Sequence, residues 1–324
     1  MHFSRFSFKL SQRKLILGLL IILGFLGILI FFLFHSIFKP SKLYADDPLI
    51  KPYVEKLKNS IKKDLNGTIP EEYIDKIFSS SELAYFPNIM IKRLTWKEAE
   101  LPYDQFLEKS RIFRAKKFMN NHKELLEDIE KVFGVDKEVI TAIFLVETNL
   151  GKNTGKFPVF NVFFSLALSG NKKLLKNFIN DPNISLKDEK INKVIEKRSK
   201  WAYNELLYLI QIAYKNKWDP FSIKGSIFGA FGYPQFVPKS YLIYGYDWDR
   251  DGVVDLYSIP DALASIANYL KTEGYKMDAD KNTKKKVIMK YNISEPYANT
   301  VLAIAEKLKN QKGVLVRNQE VKNN

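Results

Sequence analysis

Apolar positions recur along most of the chain with the period of amphipathic helices. Their spacing predicts helices near Ile50–Leu65, Lys137–Leu150, Lys187–Lys217, Asp261–Thr272 and Glu295–Lys309. A further helical pattern over Tyr103–Phe133 is broken within the run. Gly151 and Gly274 stand where two of these helices should stop, since glycine tolerates the positive φ of a helix C-terminus. Ser294 followed by Glu295-Pro296 is a start signal for the last one. Between Asn216 and Ile259 the periodicity gives way to Gly, Pro, Asp and aromatic residues, the texture of loops and turns. The expected fold is therefore mainly α within an α+β class, with a small loop- or β-rich part.

One segment is apolar all round. Leu15 to Phe34, LILGLLIILGFLGILIFFLF, holds no charge, and as a helix it rises about 30 Å, enough to cross the hydrocarbon core. Arg5, Lys9, Arg13 and Lys14 precede it, so the positive-inside rule keeps the N-terminus in the cytoplasm and exports the rest of the chain. A cleaved signal peptide would have a shorter apolar core and a small-x-small site close behind it. Ala45 in KLYADD is too distant for that, so the run reads as an uncleaved single-pass anchor. The expected organisation is a basic cytoplasmic segment 1–14, a transmembrane helix 15–34, a linker 35–47, one compact domain 48–310 on the outer side of the cytoplasmic membrane, and a flexible tail 311–324.

The composition narrows the chemistry. No cysteine is present, which removes disulfides, thiol nucleophiles and thiolate metal sites. Of the three histidines, His2, His35 and His122, the first two fall outside the expected domain, so no multi-histidine zinc site can form. A Ser-His-Asp triad would have to depend on His122 alone, so if the chain is an enzyme its proton chemistry is expected to run on carboxylates. The net charge of +15 fits either an anionic partner or a simply lysine-rich composition. Export to the wall side argues against nucleic acid.

Three stretches could carry chemistry. In IFLVETNLGK, Glu147 lies on the same helical face as Ile140, Ile143 and Phe144. Poor solvation and the negative end of the helix dipole both favour its protonated form, the one a general acid needs. A partly buried Glu paired with a lysine would look the same. The second stretch is KGSIFGAFGYPQFVPKSY, residues 224–241. Here Gly225, Gly229 and Gly232 allow close backbone approach, Gln235 supplies donor and acceptor, and Phe231, Tyr233 and Phe236 supply flat faces. Sugars bind such a mixture, although an ordinary Gly/Pro-rich connection reads similarly. The third is DWDRDGVVDLYS. Asp247, Asp249, Asp251 and Asp255 fall at positions one, three, five and nine of an EF-hand-like loop, with Gly252 at six and the Val253 carbonyl at seven. Position twelve is Ser258 rather than a bidentate Glu, so the stretch is either a weak calcium loop or a solvated acidic turn.

In their order these stretches, together with the later KYNISEPYANTVLAIA, resemble the membrane-bound lytic murein transglycosylase B family over about Gly134–Ala305. The resemblance implies a lysozyme-like core that cleaves the MurNAc-β-1,4-GlcNAc bond of peptidoglycan glycan strands and leaves 1,6-anhydroMurNAc ends. It assigns Glu147 as the single catalytic acid/base. It places Ser226, Gln235, Tyr269, Tyr291, Asn292 and Tyr297 as substrate-binding residues. No cofactor is expected for catalysis, and calcium, if bound, is expected to be structural. Phe231 and Pro234 stand where the family commonly has methionine and glycine, which bears on cleft shape. A hydrolytic muramidase and a non-catalytic peptidoglycan-binding protein are the alternatives.

Overall fold

The protein is seen in a computed structural model that describes residues 42–96 and 101–309. The expected span 15–34, the segment 1–14 before it and the tail 311–324 lie outside these residues. Among the described residues no helix is long and apolar enough to cross a membrane.

Helices α1 (Lys51–Asp64), α2 (Glu71–Phe78) and α3 (Asn88–Thr95) come first, followed by a 3-10 segment at Tyr103–Leu107. Then come α4 (Lys109–Asn121), α5 (Lys123–Phe133), α6 (Lys137–Thr148), α7 (Val159–Leu168), α8 (Lys172–Leu175) and the long α9 (Glu189–Asn216). The chain continues through α10 (Pro238–Tyr244), α11 (Ile259–Thr272), α12 (Lys281–Tyr291) and α13 (Glu295–Lys309). Two short antiparallel pairs complete the fold: β1 (Leu43–Tyr44) with β2 (Ala84–Tyr85), and β3 (Phe157–Pro158) with β4 (Lys224–Gly225). Because Leu43 pairs with Tyr85, the folded unit starts inside the stretch expected to be a linker.

The core forms around α7, which packs along α9. Its sequence VFNVFFSLAL has no polar face, and Phe160, Phe163 and Phe164 are fully buried, each contributing about 1.5–3 kcal/mol. A helix buried on all sides has no amphipathic period, which is why periodicity does not reveal it. Its two interior polar residues are satisfied by the β2 segment. Asn161 accepts from the Ala84 amide (3.3 Å) and donates to the Glu82 carbonyl (2.9 Å), while Ser165 Oγ accepts from the Phe86 amide (2.9 Å). Helix α12, KNTKKKVIMKY, also escapes the periodicity because lysines dominate it. It starts instead from a side-chain cap, Asp280 accepting from the amides of Asn282 (2.8 Å) and Thr283 (3.1 Å).

Helices α6 and α13 pack against each other and are tied at both ends. At the start of α6, Asp136 accepts from Lys309 Nζ (2.6 Å), Lys284 Nζ (2.9 Å) and the Tyr275 hydroxyl (2.5 Å). At its finish, Glu147 accepts from the Tyr297 hydroxyl at 2.6 Å. Tyr297 begins α13 and Lys309 ends it, so the helices run antiparallel. Eleven residues on one and twelve on the other span about 16 and 18 Å at 1.5 Å per residue, a matched pair of lengths.

Asp136 is buried, which alone would raise its pKa, but the donors from Lys309, Tyr275 and Lys284 outweigh this and hold it below the usual carboxylate range. A lowered folded pKa gives stability that is complete above the unfolded value, about 4, and is lost as pH falls through the folded one. Asp136→Asn should therefore lower unfolding free energy by about 2–4 kcal/mol in urea titrations near neutral pH. The wild type should lose that advantage over the variant as the pH drops below about 4.

Candidate active site

Glu147 is the penultimate residue of α6 and is half-buried. The chain turns sharply just beyond it: Asn149, Leu150 and Gly151 all have positive φ, a strained run for the first two. Three contacts hold this turn. Arg114 Nη2 donates to Asn149 Oδ1 (2.7 Å), the Leu150 amide donates to the Phe144 carbonyl (3.2 Å), and Thr148 Oγ1 accepts from the Gly151 amide (3.1 Å). The same Thr148 hydroxyl reaches the Tyr233 carbonyl at 3.4 Å, joining the end of α6 to the GAFGYPQF loop.

The Tyr297 phenol that donates to Glu147 Oε1 is 1% exposed. Burial, and after it the negative charge of Glu147, pushes this phenol well above the usual tyrosine range. The same two causes act on Tyr291. Both hydroxyls therefore stay protonated, and Tyr297 is a fixed donor to the carboxylate.

A cavity of about 240 Å³ includes this pair in its lining, together with Leu101, Pro102, Tyr103, Gln105, Phe106, Val146 and Asn292. The structure thus brings Glu147, Asn292 and Tyr297 into one cavity. The rings of Tyr269 and Tyr291 meet at a tilt of 60° (4.7 Å between ring centres), and their hydroxyls donate to the Lys290 and Pro234 carbonyls, each at 2.6 Å. Ser226 Oγ accepts from the amides of Phe228 (3.3 Å) and Ala230 (3.1 Å), closing the turn of its own loop. Gln235 holds a positive φ, and its side-chain amide donates to the carbonyls of Thr154 (3.1 Å) and Gly232 (2.8 Å). In these contacts both residues shape the loop.

The loop also explains its glycine spacing. A Cβ on Gly225 would lie 2.2 Å from the Ala230 carbonyl oxygen, and one on Gly229 would meet the Phe163 ring at 2.4 Å. Phe231 is buried beneath the loop, and the Pro234 carbonyl accepts from Tyr291. The wall from Leu101 to Phe106 was not legible in the sequence as part of a site.

The acidic loop gathers differently from its spacing. Carboxylate oxygens of Asp247, Asp249 and Asp261 lie within 4.8 Å of one another. Asp251 and Asp255 accept from the backbone amides of Val253 and Tyr257, each at 2.8 Å, Asp247 Oδ2 accepts from the Gly252 amide (2.9 Å), and the two oxygens of Asp261 accept from the Trp248 and Asp255 amides, each at 2.8 Å. Ser258 precedes α11 as its N-cap, and its amide donates to the Asp255 carbonyl (2.9 Å). The third acidic partner is Asp261, in the first turn of α11 and beyond the twelve-residue window. Asp247 Oδ1 is buried without a hydrogen-bond partner. An unpartnered oxygen among three carboxylates fits a hard divalent cation such as calcium.

Residues 52–284, well over half of the chain, match the family model for the transglycosylase SLT domain. Over 158 residues, 49% of this chain, the sequence is 30% identical to membrane-bound lytic murein transglycosylase B of Escherichia coli K12, and the match spans 37% of that protein's length. The fold is similar to soluble lytic transglycosylase SltB1 from Pseudomonas aeruginosa, with a TM-score of 0.64 at 22% identity over 81% of this chain and 100% of that one. It is similar to Escherichia coli lytic transglycosylase Slt35 solved with calcium, with a TM-score of 0.60 at 19% identity over 82% and 93% of the two chains. SltB3 from Pseudomonas aeruginosa, solved with NAG-NAM-pentapeptide and with NAG-anhNAM-pentapeptide, gives a TM-score of 0.63 at 20% identity over 79% and 80%. A lysozyme-like helical core with a carboxyl at the foot of its cavity and a family model matched across most of that core lead to one assignment: the chain belongs to the transglycosylase SLT domain family.

Proposed function

We propose that the protein is a peptidoglycan lytic transglycosylase that cleaves the MurNAc-β-1,4-GlcNAc bond and leaves 1,6-anhydroMurNAc ends, with Glu147 as its single acid/base. The observation that carries this reading is the pairing of Glu147 with the buried Tyr297 phenol at the foot of the cavity. Among the described residues, Glu147 is the one carboxyl that lines this cavity. A retaining or inverting hydrolase uses two carboxyls, whereas an anhydro-forming reaction needs one because the sugar supplies its own nucleophile. A single carboxyl among the described lining residues supports the lyase over the muramidase.

The arrangement fixes the course of the proton. Tyr297 donates to Oε1, so a neutral Glu147 carries its own proton on Oε2. That proton passes to the glycosidic oxygen as the C1–O4 bond breaks, and the bonding electrons leave with the GlcNAc oxygen. The Glu147 carboxylate, stabilised by the Tyr297 donor, then takes the proton of the C6 hydroxyl while O6 bonds to C1. The ring closes, no water is consumed, and Glu147 is protonated again.

The NAG-NAM-pentapeptide and NAG-anhNAM-pentapeptide held by SltB3 support peptidoglycan as substrate and an anhydro sugar as product. The Escherichia coli relative is membrane-bound. That supports a membrane location, and the apolar run 15–34 behind its basic residues supports anchoring in the cytoplasmic membrane with the domain facing the wall. Calcium, where bound, is held by Asp247, Asp249 and Asp261 and fixes the loop before α11 without taking part in the reaction.

Digestion of purified sacculi by the wild type, with mass analysis of the released ends, should yield anhydro-muropeptides. Hydrated ends would reject the lyase reading. Glu147→Gln should release no fragments, and undiminished release would reject Glu147 as the acid. Tyr297→Phe removes a hydrogen bond to a charged group, worth about 1.5–3 kcal/mol, and should slow turnover about ten- to hundredfold. Calcium should raise the melting temperature of the wild type relative to chelator. Asp261→Asn should abolish that rise while an assay of sacculus cleavage in chelator still shows activity.

A further inference from the structure

Gln105 and Phe106 line the cavity from the 3-10 segment, and neither is explained by the acid/base scheme. Both are braced by one cation. Arg111 Nη2, from the first turn of α4, donates to Gln105 Oε1 at 2.9 Å, and its guanidinium lies over the Phe106 ring at 5.0 Å from the centroid. Arg111 also faces Glu108 at 3.9 Å, which holds the guanidinium at the head of the helix.

This brace settles the sense of the Gln105 amide. A guanidinium can only donate, so the oxygen of the amide must face Arg111 and the NH2 must point away from it. The NH2 of Gln105, turned from Arg111, is thereby available as a donor to a group that enters the cavity. Beside the polar Glu147, Asn292 and Tyr297, the same cavity offers apolar carbon from Leu101, Pro102, Phe106 and Val146. A donor of fixed sense and apolar carbon in one cavity match an acetamido group, whose carbonyl oxygen accepts one hydrogen bond and whose methyl needs dry contact. A free amine at the same sugar position would set an ammonium donor against the amide donor and leave the apolar wall unfilled.

We infer that Gln105, oriented by Arg111, recognises the N-acetyl group of a cavity-bound amino sugar and makes the site selective for acetylated over de-N-acetylated glycan. This rests on the proposed cleavage of glycan strands. Gln105 is a specificity-determining residue, and Arg111 is a positioning residue that acts through it and through Phe106. Both side chains are part-exposed, so substitution there leaves the core intact.

The test compares KM on N-acetylated and chemically de-N-acetylated glycan strands for the wild type, Gln105→Glu, Arg111→Ala and Arg111→Lys, each checked by thermal melting. Glutamate keeps the contact with Arg111 but removes the donor. Gln105→Glu should raise KM on acetylated strands about tenfold, the loss of one ordinary hydrogen bond, and shrink the preference for acetylated strands by a similar factor. Arg111→Ala should shrink it as well, because the amide can then turn over, and Arg111→Lys should restore part of it. A wild-type preference retained in both Gln105→Glu and Arg111→Ala would overturn the inference. Binding of N-acetylglucosamine oligomers to Glu147→Gln, measured by calorimetry with Gln or Glu at position 105, separates the two readings. Failure of the wild type to cleave sacculi defeats the proposed reaction, whereas equal binding by both forms defeats the role of Gln105.

Discussion

The antiparallel contact between α6 and α13 is the constraint on which the site depends. At one end a buried carboxylate, Asp136, gathers two lysines and a tyrosine from the last third of the chain. At the other end a second carboxyl, Glu147, accepts from Tyr297. Residues 136 and 309 are far apart in sequence, so this pairing closes a long loop, and charge-assisted hydrogen bonds at both ends fix its register. A slide of one helical turn along either helix would break both ends together. The depth and direction of Glu147 are thus set by contacts at both termini of its helix.

Everything else around the cavity is tied to this pair. Tyr103 packs edge-on against Tyr297 at 6.1 Å, which seats the 3-10 wall. Thr148 and Tyr291 hold the GAFGYPQF loop through the carbonyls of Tyr233 and Pro234. Tyrosine serves repeatedly here for a physical reason. Its ring fills apolar space, its hydroxyl donates once at a fixed distance, and burial keeps it protonated. A lysine in place of Tyr297 would bring a second charge into a half-buried cavity and bind the carboxylate too firmly to let it exchange a proton.

The lysine excess has a partly local use. On α12, Lys284 binds Asp136, Lys285 pairs with Glu295 and Lys290 with Glu273. Lys281 reaches Glu306 on α13. The exposed pairs add little each, yet they lie along the seam that brings Asn292 and Tyr297 to the cavity. The basic composition therefore describes, in part, how this lysine-rich helix is held, and it is weaker support for an anionic partner than the net charge alone implies.

The sequence by itself determined what local patterns can encode. These are the amphipathic helices α1, α6, α9, α11 and α13, the carboxylate chemistry left when cysteine is absent and histidine scarce, and Glu147 on the apolar face of its helix. The motif resemblance added Tyr297 and Asn292. Helices without a polar face, such as α7, or with hardly an apolar one, such as α12, carried no periodic signal because their stability comes from neighbours. Only the tertiary structure decided the pairings across long separations. It turned the side chain of Gln235 onto backbone carbonyls, brought Asp261 beside Asp247 and Asp249, and set Gln105 and Phe106 in one cavity with Glu147. A hydrogen bond between residues 150 positions apart leaves no mark in either local sequence, because it is made by the packing of whole helices.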